Sequence, residues 1–100
     1  MTGKTEFDMK LSDLRNQIDS IDKQILALLN QRTSVALEIG GLKSRCPGAA
    51  VKCPQREEQV KLALQALNQG PLTNDDISEI WNEIVSASVR LQERINSEKK

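Results

Sequence analysis

Apolar residues in the first part of the chain fall at Leu11, Leu14, Ile18, Ile21, Ile25, Leu28, Val35, Ile39 and Leu42, in alternating steps of three and four with one seven-residue gap. That spacing is the a/d seam of a helix that packs along its length, and it predicts one very long N-terminal helix over residues 11–42. Arg32 fills the gap, in the slot between Leu28 and Val35 where an aliphatic side chain is expected. An unpaired charge in such a place costs several kcal/mol, so an anionic group is expected to meet it.

The remaining pattern predicts two further helices. Residues 1–10 are read as a flexible tail without periodicity, with Ser12 or Asp13 capping the long helix. Pro47 and Gly48 mark a loop between Cys46 and Cys53, and Pro54 suits the first turn of a second helix that stops at Asn68, Gly70 and Pro71. Its stripe is Glu57, Val60, Leu64 and Leu67. Thr73 with Asp76 three residues on has the form of a capping box opening a third helix, whose stripe is Ile77, Trp81, Ile84, Ser88, Leu91 and Ile95. No strand pattern and no repeat is present, so the fold class is all-α. Gly40 and Gly41 admit two readings: a helix end at Gly40, or a close approach of backbone to a ligand or another helix, which the continuation of the seam to Leu42 favours.

A helix of 32 residues is about 48 Å long, whereas a compact domain of this size has a radius of gyration near 13 Å. The remaining chain is too short to cover the seam, so a second copy of the protein is expected to do so. Composition adds three exclusions. The 100 residues carry 14 basic and 14 acidic side chains, which gives no electrostatic footprint for nucleic acid or an anionic membrane. No run approaches the ~18 apolar residues of a membrane span, and the N-terminus has no apolar signal core, so the expected location is cytoplasmic. With no His and two Cys, a zinc site is not expected, and Cys46 and Cys53 are read as reduced thiols.

Each stripe carries one polar member: Arg32, Glu57 and Ser88. The structural alternative is a buried Arg32–Glu57 ion pair with Ser88 as a small packing residue. Buried pairs seldom add stability over apolar packing, which favours a functional reason for keeping the charge. Lys43 lies eleven residues after Arg32, about 16 Å along the axis and about 20° round, on the same face. Gln92, one turn beyond Ser88, points an amide at the same space. Arg15 is about 25 Å from Arg32 and about 100° off its face, so it joins such a site only from another subunit. A pocket of fixed cations and amide donors with one carboxylate suits a small dicarboxylate held in one conformer, with charge stabilised on an oxygen. It is poorly equipped for proton shuttling or covalent catalysis.

The runs LRNQID, SID and LLNQR followed by IGGLK, then VKCPQREE, then IWNEIVSASVRLQ resemble the all-helical class of chorismate mutase over about Leu11 to Gln92. The resemblance implies an isomerase that converts chorismate to prephenate by a Claisen rearrangement, without cofactor or metal, in an intertwined homodimer. Carried over residue by residue, it implies that Arg32 and the Arg15 of the other copy clamp the two carboxylates and that Lys43 and Gln92 bond the ether oxygen. Glu57 would hold the ring hydroxyl and Ser88 the ring carboxylate, with Arg56 on the wall. Cys53 stands where many members have Asp, which puts a carboxylate-mediated contact with the hydroxyl in doubt, and the double glycine is also a departure. Two rivals remain: an isochorismate-pyruvate lyase of the same fold, against which the small Ser86, Ala87 and Ser88 argue, and a non-enzymatic helical dimerisation module.

Overall fold

A computed structural model describes residues 2–46 and 53–98, with side chains from residue 5. The loop expected between the two cysteines falls on residues 47–52, outside the described residues. The chain is three α-helices in order: α1 (Thr2–Lys43), α2 (Pro54–Leu67) and α3 (Asn74–Glu98). It divides into two units, residues 1–32 and 33–100.

The first unit is helix α1 from Thr2 onward, and here the structure corrects the sequence reading. Residues expected to form a tail are helical, and the helix begins about ten residues before the predicted cap at Ser12 or Asp13. The reason is visible once the seam is extended backwards. Phe7 sits four residues before Leu11, which adds one more step to the three-four alternation, and no proline interrupts residues 2–11. The seam is open in this unit. Phe7 is 66% exposed, and Leu14, Ile18, Ile21, Ile25 and Leu28 lie between 48% and 62%.

The second unit holds the last turns of α1 with α2 and α3. Helix α1 runs through both glycines and ends at Lys43, beyond the helix end that Gly40 alone would predict. Its terminal carbonyls are satisfied by a tightened turn. The N–H groups of Ser44, Arg45 and Cys46 donate to the carbonyls of Gly40, Leu42 and Lys43 at 3.0, 3.1 and 3.0 Å, and Ser44 Oγ donates to Gly41 O at 2.7 Å.

Helix α2 starts with Pro54 in its first turn, where the missing N–H costs nothing, and Cys53 stands at the N-cap without a side-chain cap bond. Helix α3 starts on the predicted capping box: Thr73 N–H donates to Asp76 Oδ2 and Asp76 N–H donates to Thr73 Oγ1, both at 3.1 Å. Between them the chain turns at Gly70, whose φ of +81° is the left-handed region that glycine enters freely. Asn68 holds that turn. Its Nδ2 donates to Leu72 O at 2.8 Å and Asn74 Oδ1 at 3.0 Å, and its Oδ1 accepts the Gly70 N–H at 3.0 Å. Gln65 adds a strap between the helices, donating from Nε2 to Asn74 O at 3.0 Å and Ser78 Oγ at 2.8 Å.

The α3 stripe faces inward: Ile77, Trp81, Ile84, Leu91 and Ile95 are half-buried and Ser88 is 8% exposed. On α2, Glu57, Val60 and Leu64 are half-buried, but Leu67, at the helix end, is 75% exposed. Among the described residues no apolar side chain is fully buried in the single chain. No helix is long and apolar enough to cross a membrane among the described residues.

Candidate active site

The predicted site residues divide between the units. Arg15 and Arg32 belong to the first, where Arg15 is exposed and Arg32, at the end of the unit, is half-buried. The half-burial of Arg32 contrasts with the open aliphatic seam on either side, where Leu28 is 62% and Val35 50% exposed. A guanidinium is always charged and snorkels along apolar neighbours, keeping its fork of donors available to an anion.

The second unit holds Lys43, Cys53, Arg56, Glu57, Ser88 and Gln92. Lys43 is half-buried in the last turn of α1, where a cation complements the negative end of the helix dipole. Glu57 is half-buried in the first turn of α2, where a carboxylate meets the positive end, while Cys53 and Arg56 are exposed. An ion pair on α2, Lys61 Nζ to Glu58 Oε2 at 3.4 Å, joins neighbours of Glu57 and leaves Glu57 itself out. Ser88 lies mid-way along α3, and Gln92 is one turn further on the same face.

The contact that ties two of these elements together involves Gln92. Its Nε2 donates to the main-chain carbonyl of Ala36 on α1 at 2.9 Å. Ala36 precedes Lys43 by seven residues, which on a helix is about 10 Å along the axis and about 20° round. The amide of α3 is therefore held on the same face of α1 that carries the Lys43 ammonium. Both side chains are hydrogen-bond donors, and both are half-buried.

Gly40 makes this possible. A Cβ built on Gly40 would fall on Gln92 Nε2 and come within 2.8 Å of Gln92 Cδ, whereas one on Gly41 would meet nothing within 4 Å. The close-approach reading thus holds for Gly40 and not for Gly41. A hollow of about 190 Å³ lies beside this contact, lined by Leu37, Gly41, Ser44, Ile95 and Asn96 together with Gly40 and Gln92. Of its α1 lining, Gly40 precedes Lys43 by three residues, about 60° round the helix, and Gly41 by two, about 160° round. Spacing alone did not find the Ala36 carbonyl as a partner, because main-chain acceptors leave no trace in residue identity.

Comparison with known proteins bears on the family and the fold. Residues 14–93 match the family model described as chorismate mutase type II. A bifunctional chorismate mutase/prephenate dehydratase of Neisseria gonorrhoeae is 40% identical over 78 residues, covering 78% of this chain and 21% of the relative. A chorismate mutase of Methanocaldococcus jannaschii is 35% identical over 51 residues, half of each chain. Form II of the chorismate mutase structure from Thermus thermophilus superposes with a TM-score of 0.82 at 35% identity, covering 85% of this chain and 96% of that one. The chain spans about a fifth to a quarter of the length of the bifunctional relatives it matches. With the family model covering residues 14–93 and the three-helix order matching a solved member, the chain belongs to the chorismate mutase type II family.

Proposed function

We propose that this chain is a chorismate mutase that acts as an intertwined homodimer, rearranging chorismate to prephenate. The observation that carries the reading is the Gln92 amide anchored at Ala36, on the Lys43 face of α1. Two donors from different helices on one face of α1 suit an oxygen that gains charge as its bond to carbon breaks. In the rearrangement the ether C–O bond breaks while a C–C bond forms within the same molecule, with no net proton transfer. Catalysis then reduces to holding the reactive conformer and stabilising the ether oxygen.

In this reading Lys43 and Gln92 donate to the ether oxygen, and Arg32 clamps one carboxylate. Glu57 accepts from the ring hydroxyl, Ser88 bonds the ring carboxylate, and Arg56 and Cys53 stand beside the bound substrate. Arg15, exposed within its own protomer, would reach the site of a second copy. The dimer is supported by the seam: a helix with a row of side chains about half exposed from Phe7 to Leu28 has an apolar face wanting cover. A mutase of this kind works in the cytoplasm, where the exposed Cys46 and Cys53 stay reduced.

The test is loss of chorismate absorbance on adding purified protein, with the product identified as prephenate. Incubation with isochorismate in parallel separates the mutase from an isochorismate-pyruvate lyase, which would release pyruvate. If neither chorismate nor isochorismate is consumed, the dimerisation module becomes the better reading.

A further inference from the structure

Lys43 and Gln92 are the donors of the reading above, and Gly40 has no side chain to bring to it. We propose that Gly40 is a positioning residue for Gln92, and that the Ala36 carbonyl sets which end of the Gln92 amide faces the substrate. The proposal rests on the mutase reading and adds to it the device that orients one of its donors.

A glutamine side chain ends in an oxygen that only accepts and a nitrogen that only donates, and the two are close to isosteric. Rotation by half a turn would therefore present an acceptor to the ether oxygen and repel it. A main-chain carbonyl can only accept, so an amide docked on Ala36 O must dock through Nε2. One N–H is then committed to Ala36, and the second N–H of the same nitrogen remains to donate elsewhere. The Ala36 carbonyl thus selects the catalytically useful rotamer before substrate arrives, which is the preorganisation that an electrostatic site needs.

Docking on a carbonyl inside a helix requires the amide to come down onto the helix surface. Residue 40 is one turn beyond Ala36 and overhangs that carbonyl, so its side chain decides whether the approach is open. With glycine it is open; a Cβ would occupy the place of Nε2. Gly41, one residue on, guards nothing within 4 Å and provides the internal control.

The test is a double-mutant cycle on the full chain, with Gly41→Ala in parallel. Gly40→Ala is expected to lower kcat for chorismate by the same factor as Gln92→Ala, on the order of 10²-fold, with KM little changed. The double variant Gly40→Ala/Gln92→Ala is expected to be no slower than Gln92→Ala alone, because the two substitutions remove one interaction. Gly41→Ala is expected to keep wild-type turnover. Alanine is the better helix former, so loss of α1 does not account for the effect, and circular dichroism checks it.

A second readout does not depend on turnover. The Gln92 side-chain amide signal in a ¹H–¹⁵N spectrum, assigned by its loss in Gln92→Ala, should report a hydrogen-bonded, slowly exchanging N–H in the wild type and not in Gly40→Ala. Wild-type turnover by Gly40→Ala, a double variant slower than Gln92→Ala, or an amide signal unmoved by Gly40→Ala overturns the proposal. Wild-type turnover by Gln92→Ala removes the catalytic role of Gln92 and the proposal with it. If the wild-type protein leaves chorismate unchanged, the functional reading fails, and the amide signal still decides whether Gly40 positions the side chain.

Discussion

Thr73 and Asp76 exchange hydrogen bonds: each main-chain N–H donates to the side-chain oxygen of the other, both at 3.1 Å. The pair satisfies two of the donors that a helix start leaves open and fixes where α3 begins.

Thr73→Ala removes the acceptor for the Asp76 N–H at an exposed position. It is expected to destabilise the protein by about 1 kcal/mol, which for a chain of this size lowers Tm by roughly 4–8 °C. Thermal unfolding followed by circular dichroism measures it. Turnover of the folded variant at 25 °C should stay at the wild-type level.

Lys43→Ala takes away a fixed charge at the end of α1. If the ammonium stabilises the breaking ether bond, the variant loses roughly 3 to 4 kcal/mol of transition-state stabilisation, a several-hundred-fold drop in kcat. Steady-state kinetics on chorismate decide the matter, and turnover near the wild-type rate would remove Lys43 from the mechanism.

If Arg15 acts in the site of a second copy, that contribution has its own signature. Arg15→Ala and Lys43→Ala should each be nearly inactive as homodimers. After mixed unfolding and refolding at equal amounts, one site of each mixed dimer carries both lesions and the other carries neither. About a quarter of wild-type activity should then return, from a statistical half of mixed dimers with one intact site each. A mixture as inactive as its components would place Arg15 outside the partner's site.

The open seam predicts the response of the assembly. Ile21, 50% exposed in the single chain, lies mid-way along the apolar row of the first unit. Ile21→Asp would bury an unpaired charge in a dimer and cost several kcal/mol per copy. Sedimentation analysis should find a dimer for the wild type and dissociated, largely unfolded chains for the variant. An unaltered sedimentation coefficient would show that this face is not the one a second copy covers.

Much of the architecture was legible in the order of residues. Three- and four-residue apolar steps marked each helix face, Pro54 and Gly70 marked ends, and Thr73 with Asp76 marked a start. The polar members of the stripes led to Arg32, Glu57 and Ser88, because a charged or hydroxyl side chain on an apolar face is informative wherever it occurs. A seam that begins at Leu11 leaves Phe7, one step further back, in a tail, whereas α1 is helical from Thr2. A helix that lacks a strong cap has no local mark for its beginning, and the periodicity must be followed to its last member.

Residue order alone was enough for the number and order of the three helices, the inward face of α3 and the set of polar residues worth watching, since helical periodicity and capping chemistry are local and are written in side-chain identity. The choice between Gly40 and Gly41 came from the folded chain, as did the pairing of Gln92 with Ala36 across 56 positions. The acceptor there is a main-chain carbonyl, which every residue possesses, and the space beside it is the lack of a Cβ, which two adjacent glycines offer equally. Which of them faces α3 depends on how the helices pack, and packing is a property of the folded chain.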